Sequence, residues 1–336
     1  MDIVSIYNDK GGVGKTSLAL EIGTALAVSG KKVLLIDNDP QGSLSISSTA
    51  DIKAIAEGLD LFYKGDKDFI DILTGTFIEN LILAPAGRKL KDFYLRTDSK
   101  TREKTEELFD YMRTDGDFTH LFDFVIIDNP PTQDGIAMHS ALLSDTIVIP
   151  VIPDEICYDA LDRTYSFIEQ QAEDFAKKYV VIVPSLVMNR SVHKRLLKRM
   201  KDNFHGANEN TIVSETLIKN RAEIPETIGN KQNLFISHAS SEITKQLKEL
   251  CVEIFLQLDK DEFLESINQV ADSLRRARWE KFTAMVQNKT LAKPVKKSVK
   301  LDKSAKKSVN VAKINKAAKT SKTVKTAKKQ RRLVNG

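Results

Sequence analysis

Along this chain, short unbroken apolar runs alternate with longer stretches in which apolar residues return every three or four positions. The runs Ile3–Tyr7, Lys32–Ile36, Leu81–Ala84, Phe124–Ile127, Thr146–Val151 and Val180–Val187 are bounded by turn residues and predict strands. The periodic stretches Ser17–Ser29, about Lys100–Arg113, Tyr158–Lys177 and Val192–Asn203 predict helices between them. Strands that are apolar throughout, rather than alternately, are covered on both faces. The pattern therefore implies an α/β, doubly wound, mainly parallel sheet with helices on both faces. Short strand-to-helix loops gather the strands' carboxyl ends at one edge, where open α/β sheets bind ligands.

The pattern shifts after Val213. A loop is expected around Lys219–Asn230, a helix near Ser240–Leu258, and another from about Asp261 to Val286. That last helix carries Arg275, Arg276, Arg278 and Lys281 beside Trp279 and Phe282. From Asn288 onward Lys, Ala, Ser, Thr and Val dominate without a helical apolar stripe, so the tail is expected to be disordered in isolation. The implied divisions are a body at 1–258, a basic helix at 259–286 and a Lys/Ala-rich tail at 287–336.

Charge sharpens that division. Residues 287–336 hold 15 Lys and two Arg against Asp302, a net +16 within a whole-chain charge of +5, so residues 1–286 carry −11. A mildly acidic body joined to a strongly basic tail points to polyanionic partners. Apolar stretches such as Phe124–Ile127 and Ile147–Ile152 fall far short of the ~20 residues of a membrane span. Met1 runs directly into the first apolar run without an export signal, so a cytoplasmic location is expected. Cys157 and Cys251 sit in apolar surroundings without a CxxC partner, and buried free thiols are expected.

Three motifs lie at the expected carboxyl edge. Lys10-Gly11-Gly12-Val13-Gly14-Lys15-Thr16, followed by Ser17, joins the first strand to the first helix. Glycines let backbone N–H groups turn toward phosphate oxygens, and the helix N-terminus adds its dipole. Lys15 supplies a point charge for β/γ-phosphates and the Thr16 hydroxyl a Mg²⁺ ligand. Next, Asp37-Asn38-Asp39-Pro40-Gln41-Gly42 sets two carboxylates just past the second strand, suited to a metal ion or to an attacking water, though also to a plain turn. Finally, Phe124-Val-Ile-Ile-Asp128-Asn-Pro-Pro131 ends a strand in an aspartate that would hold a water on Mg²⁺. The phosphate loop also departs from the standard form, with Asp9 where a first glycine is usual, and Lys10 after it. From motif reasoning alone, Lys10 would be a second local phosphate contact.

Together these motifs resemble the ParA/MinD family of deviant Walker ATPases, whose loop reads K-G-G-x-G-K-[ST]. The resemblance covers about residues 3–258 and implies a P-loop NTPase fold with ATP and Mg²⁺ as cofactors. It implies that Lys10 reaches across an ATP-dependent homodimer to the other subunit's phosphates. It further implies that Asp39 positions the hydrolytic water, with Asp37 as a supporting metal-sphere or structural carboxylate, and that Asp128 is the Walker B residue. Asn189, after the sixth strand, would contact the adenine edge. The stretch Lys219–Thr227 loosely resembles the family's "I-P-x-x-x-x-x-x-E-A" segment.

A slow, partner-stimulated ATPase that partitions or positions cargo is the function so implied, with a ParB-like or cargo-adaptor partner. The tail, whose composition resembles linker-histone tails, would bind DNA without sequence preference and hold the protein at the nucleoid. Two alternatives stand beside this reading: a MinD-like membrane-surface ATPase and a small-molecule enzyme of the same superfamily. Scattered Val, Ile and Leu without an aromatic give the tail little to insert into lipid, so a membrane partner is not expected.

Overall fold

The structure is a computed structural model that describes residues 1–273 apart from 50, 52 and 271. In chain order the described elements begin with β1 (Asp2–Ile6), α1 (Lys15–Val28), β2 (Val33–Asp37), α2 (Ser43–Ser48), α3 (Leu59–Lys64), β3 (Thr74–Gly75), β4 (Leu81–Ala84), α4 (Ser99–Thr114) and α5 (Gly116–Leu121). They continue with β5 (Phe124–Asp128), α6 (Gly135–Leu143), β6 (Thr146–Val151), α7 (Glu155–Gln171), β7 (Tyr179–Pro184), α8 (Ser191–Phe204) and β8 (Thr211–Val213). Then follow α9 (Glu223–Gly229), α10 (Leu234–Ser237) and α11 (Glu242–Ile254). The strands form one sheet in the order β3-β4-β2-β5-β1-β6-β7-β8. Among the described strands the two-residue β3 alone runs antiparallel to its neighbour; the other pairings are parallel.

Every residue of β2, β5 and β6 is buried, which explains why these strands read as unbroken apolar runs. Alternate side chains point to opposite faces. Val4, Leu35, Ile126, Val148 and Val181 join the core under α1 and α11, whereas Ile36, Val125 and Ile127 pack toward α3 and α4. On that second face, farther along the sheet, Ile147, Ile149 and Ile182 meet α7 and α8. Helix α1 lies against the sheet so closely that a Cβ at Gly23 would stand 2.7 Å from Leu35 Cδ2. Glycine is what permits that approach, at the helix-propensity cost glycine carries.

Several boundaries differ from the sequence reading. β7 stops at Pro184 rather than Val187 because Leu186 adopts φ 49° and turns the chain, leaving Val187 in an isolated bridge with Lys219. Helix α7 begins earlier, at Glu155, where Asp154 caps its amino end by accepting from the Cys157 amide at 2.7 Å, and it ends at Gln171. The expected loop at Lys219–Asn230 contains α9. Residues 260–270 are helical, and Phe263 and Ile267 are buried in the core shared by α1 and α11. The start of the expected basic helix is thus part of the main core. The chain divides into Met1–Phe282 and Thr283–Gly336. The Arg275–Lys281 stretch and the tail expected at 287–336 lie outside the described residues. Among the described residues no helix is long and apolar enough to cross a membrane.

Candidate functional site

The site is assembled by adjacent strand ends. In the parallel register Asp128 of β5 lies beside Ile6 of β1 on one side and Asp37 of β2 on the other. The loop that follows β1 must then turn tightly over these carboxylates into α1. Gly12 and Gly14 make that turn, with φ of 77° and 93°, values that side-chain-bearing residues seldom adopt. Ser185, just past β7, holds the turn by donating to the Val13 carbonyl at 2.8 Å. Asn8 fixes its base, donating to the Pro150 carbonyl and accepting from the Lys10 amide, both at 2.8 Å.

Lys15, the first residue of α1, is buried, and its ammonium donates to the Asn8 carbonyl at 3.0 Å and the Lys10 carbonyl at 2.9 Å. Burial lowers its pKa to about 8, against the opposing pull of Asp128, Asp39 and Asp9. Lys10 is half-buried and makes no ion pair with any described residue.

The two strand-end carboxylates are treated differently. Asp37 Oδ2 accepts from the Ser45 amide at 2.7 Å and its hydroxyl at 2.6 Å, and Oδ1 from the Asp39 amide at 3.2 Å. Burial still raises its pKa to about 7, with the Ser45 contacts working against that rise. Asp128 is fully buried and neither of its carboxylate oxygens has a hydrogen-bond partner among the described residues. Its pKa stands well above the ordinary carboxylate value, first through burial and then through the charge of Asp37. The Thr16 hydroxyl is near enough to favour its ionised form without reaching hydrogen-bond geometry. Buried orphan carboxylates are costly and rare, and a metal ion or its bound water is what such a group suits. Asp37, Thr16 and Asp128 therefore fit a Mg²⁺ ion, and Gly11 to Ser17 with Lys15 fit a phosphate chain.

A cavity of about 440 Å³ opens over the loop, walled by Gly11–Leu18, Asp39, Pro131 and Ser185. Its remaining wall is Leu186 and the segment Ile218–Arg221 with Ile224 and Pro225. Asp39 is half-buried, and its Oδ1 accepts from the Gln41 amide at 2.8 Å. Asn189, the expected base contact, is exposed and does not line this cavity; the early turn at Leu186 carries it away, while Asn220 does line it.

An AAA domain family matches residues 1–181, more than half of the chain. The chain belongs to this family. The resemblance to ParA and MinD proteins also holds. The sporulation initiation inhibitor protein Soj of Bacillus subtilis is 32% identical over 44% of this chain and 57% of its own length. The chromosome partitioning protein ParA of Caulobacter vibrioides is 28% identical over 50% of this chain and 62% of its own length. The chain thus spans about three fifths of the length of these curated relatives. A Borrelia burgdorferi plasmid partition protein bound to AMPPNP shares the fold at TM-score 0.62 and 22% identity, covering 76% of this chain and 98% of that one.

In this ParA/MinD-type body, Asp9 has a structural task that its position in the motif did not reveal. Its Oδ1 accepts from the Thr164 hydroxyl of α7 at 3.1 Å and its Oδ2 from the Gln133 amide at 3.0 Å. The phosphate loop is thereby tied both to α7 and to the turn that follows Asp128. Tyr7 strengthens the second tie by donating from its hydroxyl to the Thr132 carbonyl at 3.0 Å. A buried amide chain continues inward, with Asn38 donating to Asn129 at 3.1 Å and Asn129 to the Ser5 hydroxyl at 2.9 Å. The two strand-end turns and the loop behave as one hydrogen-bonded unit.

Proposed function

We propose that this chain is a cytoplasmic ATPase that partitions or positions a cargo, with ATP binding closing a homodimer and hydrolysis opening it. One observation carries the reading: the buried, partnerless Asp128 carboxylate lies beside Asp37, under a glycine turn and a lysine at a helix N-terminus. Positive charge from Lys15, the α1 dipole and the loop amides would hold the β/γ-phosphates. Thr16, Asp128 and Asp37 would hold Mg²⁺. When bound, that ion neutralises charge on the phosphate oxygens.

Asp39, on the cavity wall, would orient a water so that its oxygen bonds to the γ-phosphorus as the bond to the β–γ bridging oxygen breaks. Lys10 has no anionic partner within the described chain, which suits a cation reserved for the other subunit's phosphates. Asn220 rather than Asn189 is the amide better placed to meet a base. The basic carboxyl-terminal segment would hold DNA without sequence preference, keeping the protein at the nucleoid, while a ParB-like or cargo-adaptor protein speeds hydrolysis.

The test is a joint measurement of ATP turnover, mass by light scattering and DNA affinity across salt concentrations. ATP should convert monomer to dimer and strengthen DNA binding, and Lys10→Ala and Lys15→Ala should each abolish the dimer. A dimer that persists equally without nucleotide overturns the mechanism. DNA binding that ignores salt overturns the basic-segment attachment.

A further inference from the structure

On the face carrying α3 and α4, an apolar groove of about 670 Å³ is open to solvent. Its floor is formed by the upper surface of a buried aromatic cluster, with Phe62 7% and Phe69 3% exposed. Phe62 of α3 and Phe69, in the turn at Phe69–Ile72, stand edge to face at 5.8 Å, and Tyr111 of α4 lies 6.5 Å from Phe69. Ile70 beside them is 43% exposed, a large apolar side chain left in water at the groove's mouth.

The rim has one sign. Among the described residues lining the groove are five carboxylates and no cation. Glu106 pairs with Arg102 at 2.8 Å and Glu107 with Lys104 at 2.7 Å. Asp68, Glu103 and Asp110 have no ion pair with any described residue. Glu103, Glu107 and Asp110 follow at helical spacing, so they form one acidic stripe along α4 above the aromatic floor. Burial and then the charges of Asp115, Asp117 and Asp68 raise the pKa of the Tyr111 hydroxyl, as expected of a negative field at this wall. Lys104 already rests its ammonium 5.4 Å from the Phe62 ring centroid, showing that a cation sits comfortably on this aromatic surface.

We propose that this groove docks a lysine- or arginine-rich amphipathic helix of a partner protein, with apolar side chains against Ile70 and Tyr111 above the buried Phe62 and Phe69, and cations along the α4 stripe. Charge complementarity selects that occupant. An acidic helix would meet three unpaired carboxylates, and a purely apolar one would desolvate them without recompense. The groove is also removed from the nucleotide edge. The aromatic row runs from Phe69 to Phe118 at 6.0 Å and on to Phe122 at 5.2 Å, just before the amino end of β5, whereas Asp128 closes its carboxyl end. Docking here therefore does not depend on nucleotide, and it stands or falls separately from the ATP switch.

The probe is a fluorescently labelled synthetic helix of Lys and Leu, roughly 15 residues long with one cationic and one apolar face, titrated into the full chain. A scrambled peptide of the same composition is the comparison. The amphipathic probe should bind more tightly than the scrambled one, and its affinity should fall with salt but not change with Mg-ATP. The double substitution Glu103→Lys, Asp110→Lys should weaken it roughly tenfold or more, and Ile70→Asp, at an already exposed position, should weaken it separately. Equal binding of the scrambled peptide would reduce the effect to bulk charge and overturn the proposal. Unchanged affinity in both variants, or loss of binding on adding Mg-ATP, would overturn it as well.

Discussion

The two edges of the sheet handle charge in opposite ways. At the amino edge, Asp145 accepts from the Ile3 amide at 3.0 Å and from the Arg113 guanidinium at 2.7 Å. At the carboxyl edge, Asp128 has no hydrogen-bond partner among the described residues, and the nearby Lys15 ammonium donates to backbone carbonyls. Charges that finish their pairing within the chain secure its structure. Those left unfinished retain their electrostatic field for something that arrives later, at a cost in stability borne by the rest of the fold.

The sharpest way to break that contrast is Asp128→Asn. The substitution keeps the shape and removes the charge, so ATP turnover should fall about 100-fold or more if this carboxylate organises the metal ion. Without nucleotide, the urea midpoint should stay level or rise, because no protein partner loses a bond. Turnover and urea unfolding measured on the same preparation check both halves. A loss of more than about 2 kcal/mol in nucleotide-free stability would make Asp128 a structural residue like Asp145 and erase the contrast.

Much of this edge was legible in the sequence because the fold places its chemistry directly at strand ends. An apolar run that stops at an aspartate announces both the strand and the position of its carboxylate, as at Asp37 and Asp128. What was not legible depends on distant pairing. Asp9 meets Gln133 and Thr164 across 124 and 155 residues, and nothing near Asp9 signals either partner. The approach of Lys219–Pro225 to the cavity follows from α9, seven residues with a proline at its third position, too short to establish a period. Asn189 falls outside the cavity lining for a local reason. The apolar run continues to Val187, but the left-handed turn at Leu186 ends the strand before side-chain pattern alone would.

A smaller effect should appear in the pH dependence of stability. Asp37 has its pKa raised to about 7 by burial, so between about pH 4 and about pH 7 the folded state keeps a proton that the unfolded chain has released. The folded state binds more protons in that window, and the contribution of Asp37 to stability therefore falls as pH rises through it. Asp37→Asn removes the titration, so its urea midpoint should decline less steeply across the window than that of the wild type. Parallel curves for the two proteins would mean that Asp37 is already ionised in the fold and that the Ser45 contacts outweigh its burial.

The smallest effect belongs to the amino edge, and it tests whether completed pairing there is as inexpensive to disturb as its exposure suggests. Arg113 also donates to the Leu143 carbonyl at 2.6 Å, yet its side chain is 37% exposed and that of Asp145 is 46% exposed. Water can replace both contacts when the guanidinium is removed, and Asp145 keeps its bond from the Ile3 amide. Arg113→Ala should therefore cost about 1 kcal/mol or less in urea unfolding and leave ATP turnover unchanged. The deficit should shrink further in high salt, where exposed pairs are screened. A cost above about 2 kcal/mol, or a change in turnover, would mean that the amino edge is coupled to the site across the length of β1 and β5 and is not simply its structural counterweight.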